Sequence, residues 1–356
     1  MELKPLNSFT GTERKLLGLF GVDAGNHDTK SRHTTFASGF QKSSVVNKLA
    51  SEYIEMTDKN GENYFYTVTN TPFNLSTKKT ESEDMFIITM IAVAKEAVSR
   101  GISIDGDEID LAIGMPPGMY TQANVDVYYE YYMSRGKDVR FTYNGIPFRF
   151  RIGNVVVSAQ CWGAAAQYPH LHKELNDVYL VDIGGGTTDV LHMSSGQIDG
   201  EPQSYNDGVN KMFAVIANTL NSETGIRFTP KNVKAALMGK SDMPDKYTKR
   251  IKELAYDWTK NIFTRMMTEG AEFRLTKVIT LGGGPLILDD EIERAAKELD
   301  FLERLTIRDN KANATGYELV AALALYRIKS KVVNEFWRKF DAERCVNDSV
   351  NDNEED

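Results

Sequence analysis

Two segments constrain this chain more than any others, because they are built alike. Gly-Val-Asp-Ala-Gly-Asn-His-Asp-Thr-Lys spans 21–30, and Asp-Ile-Gly-Gly-Gly-Thr-Thr-Asp spans 182–189. Each lies at the end of an apolar run, Leu16–Asp23 and Val178–Ile183, that reads as a buried strand. An Asp, a glycine-containing tight turn and a polar return strand follow. Glycine lets a backbone approach an anion with no Cβ in the way, and the exposed N–H groups of such a turn form an anion nest. Two facing nests would clamp phosphates from opposite sides. The Asp at each strand end would hold Mg²⁺ through its water shell. A third piece, Leu-Gly-Gly-Gly-Pro at 281–285, follows the apolar strand Lys277–Leu281 and is suited to pass flat beneath a nucleoside. One glycine turn alone is a tight turn more often than a site; three in this order at strand ends form a pattern.

The rest of the chain alternates between strand and helix periods. Short alternating pieces such as Tyr64–Val68 make Thr34–Thr69 β-rich. Glu83–Arg100, with Met85, Ile88, Ile91, Ala92 and Val98 on one face, predicts a helix with Gly101 as its C-cap. Ile109–Ile113 reads as a strand, Cys161–Gln167 as a helical stretch and 210–273 as mostly helical. A last helix over 316–345 carries an apolar stripe at Leu325, Ile328, Val332, Phe336 and Phe340. That stripe docks on the body rather than on a membrane surface, because the acidic tail beside it would be repelled by anionic lipid. This alternation predicts an α/β fold with a cleft between two halves.

Length and charge narrow the reading. At 356 residues the chain suits two lobes rather than one small core. Its 42 Lys+Arg against 50 Asp+Glu give a net charge of −8, which argues against direct nucleic-acid binding. Asp348, Asp352, Glu354, Glu355 and Asp356 mark 346–356 as an acidic disordered tail. Cys161 and Cys345 form no CxxC pair, so the expected compartment is reducing. With no signal peptide and no apolar span, the expected location is the cytoplasm, with no membrane partner.

The same residues carry a resemblance. GVDAGNHDTK as a first phosphate hairpin, SAQCWGAAAQ as a first connecting helix, VDIGGGTTDV as a second hairpin and LGGGP as an adenosine loop resemble the superfamily of actin, the large heat-shock chaperones and the sugar kinases. GYELVAA at 316–322 resembles the second connecting helix of the bacterial ParM/StbA plasmid-segregation actins, the nearest group. The resemblance implies an actin-like fold of two lobes, each with a ribonuclease H-like core and a smaller subdomain, and a nucleotide in the cleft. Lobe I would be 1–170, with a small β-rich subdomain at about 34–82 and completion by the helix at about 316–345. Lobe II would be 171–315, with a helical subdomain at about 210–274.

The implied activity is ATP hydrolysis to ADP and phosphate, coupled to filament assembly. Asp23 and Asp182 would hold Mg²⁺ through water, Asp182 also holding the attacking water, and Lys30 would reach the β- and γ-phosphates. Gly25, Asn26 and His27 would give backbone donors. Gly184, Gly185, Gly186, Thr187 and Thr188 would cradle phosphates, while Gly283 and Gly284 line the adenosine site. Gln160 stands where the superfamily places a Gln or Glu that positions the water, either orienting it or taking its proton. Implied partners are further copies of the chain and a ParR-like DNA-binding adaptor at a centromere-like site.

Alternatives are a cytoskeletal actin homologue unconnected with plasmids, a membrane-anchored homologue and a small-molecule kinase, though no substrate base is evident. A chaperone is disfavoured by the short sequence after LGGGP. Ala235–Ser241 (AALMGKS) ends like a Walker A loop, but Lys234 stands where its first glycine belongs. His170 and His172 have no acidic or Cys partner at ligand spacing and read as loop residues.

Overall fold

The computed structural model describes residues 3–46, 52–57, 61–71, 80–168, 177–195 and 197–351. The chain opens with β1 (Lys4–Pro5), α1 (Gly11–Leu17), β2 (Leu19–Ala24), β3 (Asp28–Lys30), β4 (Thr35–Ala37), β5 (Phe40–Ser43), β6 (Tyr53–Thr57) and β7 (Asn63–Val68). It continues through α2 (Asp84–Arg100), β8 (Ile102–Ser103), β9 (Asp107–Met115), α3 (Gln122–Arg135), β10 (Val139–Tyr143), β11 (Ile146–Ala159) and α4 (Trp162–Ala166). The second half comprises β12 (Asp177–Ile183), β13 (Thr188–Ser194), β14 (Gln197–Ile198), β15 (Gln203–Tyr205), α5 (Val209–Thr224), α6 (Pro230–Leu237) and α7 (Asp245–Thr268). It closes with β16 (Lys277–Leu281), α8 (Pro285–Glu298), β17 (Arg304–Thr306), α9 (Ala312–Tyr326) and α10 (Ser330–Asn351).

Among the described residues the first large sheet runs β4-β3-β2-β9-β11-β10-β6-β7-β5 and the second β14-β13-β12-β16-β17. One unit recurs in both. In the first sheet β2 turns back antiparallel into β3 and lies parallel to β9, itself parallel to β11. In the second, β12 turns back antiparallel into β13 and lies parallel to β16, itself parallel to β17. The twin motifs therefore sit at the carboxyl ends of equivalent strands, which is where open α/β sheets bind ligands. The β-rich stretch after Thr34 is no separate sheet: β5, β6 and β7 extend the first sheet beyond β10.

Each sheet has its own core. Fully buried Phe20, Ile88 and Leu111 belong to the first. Phe263 and Phe273, packed edge to face in the second, each contribute roughly 2–3 kcal/mol by burial. A third cluster joins Cys161, Ala164 and Ala165 to Leu180, Leu191 and Ile279 of the second sheet. Helix α9 links the cores: Ala312 lies in this third cluster, while Tyr317, Leu319 and Ala322 lie in the first.

Helix α9 crosses α4 where both carry glycine, and a Cβ added at Gly316 would fall 1.7 Å from the carbonyl oxygen of Gly163. Below the crossing lies a buried ionic network. Arg100 is fully enclosed, paired with Glu96 at 2.8 Å and Glu318 at 2.5 Å, and donates to the carbonyl of Leu17. Glu318 in turn accepts from the backbone N–H of Gly21 and from Arg32. Glu96, held well below the usual carboxylate range by Arg100 and His33 in spite of burial, also bonds His33, whose other ring nitrogen reaches Asp341 of α10.

The structure differs from the sequence reading in three places. Leu16 and Leu17 belong to α1, so the strand starts at Leu19, after Gly18. The last helix is two: Arg327, at φ +55°, breaks it, and α10 turns Val333 and Trp337 inward while Val332 faces out. Helix α10 also continues to Asn351, past the expected start of a disordered tail. Residues 352–356, His170 and His172 lie outside the described residues. No described helix is long and apolar enough to cross a membrane.

Candidate functional site

Both hairpins and the glycine loop after β16 open on one cavity of about 590 Å³. Asp23, Gly25, Asn26, His27, Lys30, Gln160, Asp182, Gly184, Gly185, Gly186, Thr187 and Gly283 all line it. The two hairpin turns touch across it. A Cβ on Gly185 would fall 2.7 Å from Cβ of His27, and one on Gly186 would fall 3.1 Å from Nδ2 of Asn26.

Each turn is shaped by its own hydrogen bonds. The carbonyls of Gly184, Gly185 and Gly186 accept from the N–H groups of Val209, Asn210 and Gly208, so the start of α5 is satisfied by the turn. The N–H groups of Gly185 and Gly186 make no backbone bond among the described residues, which leaves them for an anion. In the first hairpin the N–H of Gly25 is taken up by the carbonyls of Asp23 and Asp28, at 3.1 and 3.2 Å. Gly25 therefore shapes the turn, and the donor role expected for it does not hold. Lys30 stands opposite Asp23 in the β2–β3 register. Thr188 is fully buried behind the wall, its hydroxyl donating to the carbonyl of Asp207, and Gly284 packs on Ile183. Neither lines the cavity. The tight position in the third loop is Gly282, at φ +93°, where a Cβ would strike Oδ1 of Asp182; Gly283 has open space around it.

Charge accumulates at the centre. Asp23, Asp182 and Asp189, each under a tenth exposed, line the same cavity. Burial, and then the charges of Asp189 and Asp23, push the Asp182 carboxyl up to about 7, against the hydrogen bond from Asn313 and the charge of Lys30. Such a group is relieved by a cation. Among the described residues no three His, Cys, Asp or Glu side chains are arranged to ligate a metal directly. The raised Asp182 carboxyl beside Asp23 and Asp189 fits a cation held in this cavity. For Asp28 burial works against ionisation, but the bond and charge of His27, with Lys30 and Lys234, hold its carboxyl below the usual range. Burial and the neighbouring carboxylates push the Cys161 thiol well up.

Gln160 follows β11 at the floor of the cavity, with its Nε2 donating to Oδ1 of Asp23 at 3.0 Å and its own N–H donating to the carbonyl of Met115. Several lining residues have no motif of their own. Asn313, at the start of α9, donates to Oδ2 of Asp182 at 2.7 Å. Asn210 comes from α5, and Lys234 and Met238 come from α6 and its end. Lys234 and Met238 fall in or beside the Walker-like stretch, which runs from the last turn of α6 into a turn at Met238–Gly239.

Comparison with known proteins agrees with this architecture. A family model described as the archaeal actin homologue MreB-like, C-terminal, matches residues 180–294. The archaeal actin homologue Ta0583 superposes with a TM-score of 0.66 at 22% identity, over 85% of this chain and 98% of that one. The same protein has been solved in complex with ADP. The Alp12 filament structure gives a TM-score of 0.60 at 13% identity, covering 86% of this chain and 98% of that chain. ParM of Bacillus thuringiensis with ATP gives 0.58 at 13% identity, with the same coverage of 86% and 98%. None of the curated proteins compared matches the chain. The chain has the actin-like fold, in the form it shares with an archaeal actin homologue and with ParM.

Proposed function

We propose that the chain is an ATP hydrolase that assembles into filaments while ATP is bound and loses them after hydrolysis. The observation that carries this reading is the convergence of two Asp-ended hairpins and a glycine loop on a single cavity of about 590 Å³, within the range of small-molecule and cofactor sites. The N–H groups of Asn26, His27, Gly185 and Gly186 bind phosphate oxygens, and Lys30 neutralises the β- and γ-phosphates. Asp23 and Asp182 would hold Mg²⁺ through water, and the ion would offset charge that develops on the phosphoryl oxygens. The base and ribose lie along Gly282–Gly283, beside Met238 and Lys234.

Hydrolysis is in-line attack: water oxygen bonds to the γ-phosphorus as the bond to the β,γ-bridging oxygen breaks, and ADP takes the electron pair. The amide of Gln160 donates to Asp23, which leaves its Oε1 to accept from the attacking water. An amide cannot take up the proton, so Gln160 orients the water and does not act as base, and the proton passes to an oxygen of the transferred phosphoryl group and leaves with the phosphate. Assembly follows from the cleft. ATP bridges both hairpins and favours a closed shape, and loss of the γ-phosphate removes that bridge. A head-to-tail contact that does not close into a ring gives an open filament. Likeness to the ADP-bound Ta0583, the ATP-bound ParM and the Alp12 filament supports this reading.

The filament's task in this reading is plasmid DNA segregation through a ParR-like adaptor at a centromere-like site. The net charge of −8 is consistent with leaving DNA contact to such a partner. A cytoskeletal role without a plasmid is the second reading, favoured by the match of 180–294 to an archaeal homologue. Ultracentrifugation of the purified chain with Mg-ATP, Mg-ADP or no nucleotide tests assembly, polymer being expected in the ATP sample. No sedimentable polymer and no rise in light scattering over a wide concentration range would sink it.

A further inference from the structure

The residue after Gln160 is held in a conformation that side chains rarely adopt. Cys161 has φ +66° and ψ −56°, and the N–H of Trp162 donates to the carbonyl of Gln160 at 2.7 Å. This is a γ-turn of the rare positive-φ hand, strained for a residue with a Cβ. Such strain, on the order of 1–3 kcal/mol, persists only where the surroundings over-determine it. The turn is flanked by backbone bonds from Ala165 to the Cys161 carbonyl and from Gln160 to Met115, and one side chain holds its N–H. Oδ1 of Asn313 accepts from the N–H of Cys161 at 3.1 Å, while its Nδ2 donates to Oδ2 of Asp182 at 2.7 Å.

The two ends of that amide are not interchangeable. A backbone N–H needs an acceptor and a carboxylate needs a donor, so a flipped amide would set NH₂ against N–H and carbonyl against carboxylate. Asn313 is only 7% exposed, and the α4–α9 crossing fixes its distance, since Gly316 lies one turn further along the face that meets Gly163. Gln167 of the α4 end reinforces the same crossing through Thr315 and the carbonyl of Ala312.

The geometry points to Asn313 as the positioning residue of the hydrolytic site: one amide clamps the strained turn that aims Gln160 and orients the Asp182 carboxylate, so that both reach the attacking water in fixed relation. The inference rests on the ATPase reading. It assigns Asn313 no contact with nucleotide. Its loss therefore lowers turnover through the aim of Gln160 and leaves affinity in place.

The test is steady-state hydrolysis and Mg-ATP affinity of Asn313→Leu and Asn313→Asp, each with Cys161 or with Cys161→Gly. Asn313→Leu removes both bonds and is expected to lower kcat at least tenfold, with the Kd for Mg-ATP within about threefold of the unmutated chain. Glycine takes positive φ freely, so the loss in kcat caused by Asn313→Leu is expected to shrink at least threefold in the Cys161→Gly background. Asn313→Asp keeps the acceptor for Cys161, so glycine at 161 is expected to leave its loss undiminished. Equal losses from Asn313→Leu in both backgrounds, or a Kd that rises as far as kcat falls, would overturn the assignment while the ATPase reading stands. If Asn313→Leu fails to fold, the Asn313→Asp pair decides: relief of its defect by Cys161→Gly overturns the clamp. Absence of hydrolysis by the unmutated chain removes both.

Discussion

Replacing Gly316 with Ala tests whether α4 and α9 touch as closely as their geometry says. The added Cβ would fall 1.7 Å from the carbonyl oxygen of Gly163 and 2.2 Å from its carbon, whereas ordinary contact begins at 3.4 Å. Both neighbours are backbone, so no side chain can swing away and the helices must part by about 1.7 Å. That displacement stretches the 2.7 Å bond from Asn313 to Asp182 beyond hydrogen-bonding range. Overpacking costs about 1–3 kcal/mol, and a buried polar group left without its partner costs about 1–3 kcal/mol more. Against these stands a gain of about 1 kcal/mol, because Ala is the better helix former. The net expectation is about 1–5 kcal/mol of destabilisation, a fall in Tm on the order of 5 °C. Calorimetry of the nucleotide-free chain measures it, with Gly283→Ala as the control, since no atom lies within 4 Å of a Cβ at Gly283. A Tm for Gly316→Ala equal to or above that of the unmutated chain would refute the close crossing, because helix propensity would then be the only effect seen.

Other consequences are as direct. Fold and burial raise the Asp182 carboxyl from 3.8 to about 7, so the folded state keeps a proton that the unfolded chain gives up as pH rises between those values. Nucleotide-free stability therefore falls from pH 4 to 7, and Asp182→Asn is expected to recover up to about 4 kcal/mol at pH 8 while abolishing Mg-dependent hydrolysis; urea titrations at pH 5 and 8 check both the size and the sign. Glu318→Gln leaves Arg100 with Glu96 alone in a fully buried site, and a loss of about 3 kcal/mol is expected by the same titrations. His33 has its pKa raised: burial opposes the charge, but the bonds to Asp341 and Glu96 outweigh it. Its contribution is fully present below 6.5 and lost as pH rises through the higher folded value, so Asp341→Asn should destabilise more at pH 6 than at pH 9. Gln160→Ala is expected to slow phosphate release at least tenfold with nucleotide affinity intact, so that filaments outlast those of the unmutated chain in electron micrographs.

The parts of the site that were legible in the sequence are those whose chemistry admits few residue types. Three glycine turns at strand ends form a pattern that one does not, so Asp23, Asp182 and the glycines of 184–186 could be read locally, the second strand starting one residue and the first three residues from the reading. Asn313 could not be read this way, because its partners stand 131 and 152 residues away in sequence and nothing in an alanine-rich helix start marks it. Lys234 and Met238 were hidden for a similar reason: they reach the cavity from a helix whose periodicity reports only its packing on α5 and α7. The break at Arg327 carries no glycine or proline, so a continuous apolar pattern ran through it. Tertiary packing decides that turn. Gly25 shows the reverse case, a residue that lines the cavity while its N–H serves its own hairpin.

ATP in this cleft is expected to drive assembly, and its hydrolysis to reverse it. One experiment follows both quantities together: light scattering and phosphate release recorded in the same sample after Mg-ATP is added to the purified chain, with the Gln160→Ala chain run alongside. Scattering is expected to rise before phosphate appears and to decay as phosphate accumulates, the decay being delayed in Gln160→Ala. Scattering that never rises, or that rises equally with Mg-ADP and ignores phosphate release, would contradict this expectation.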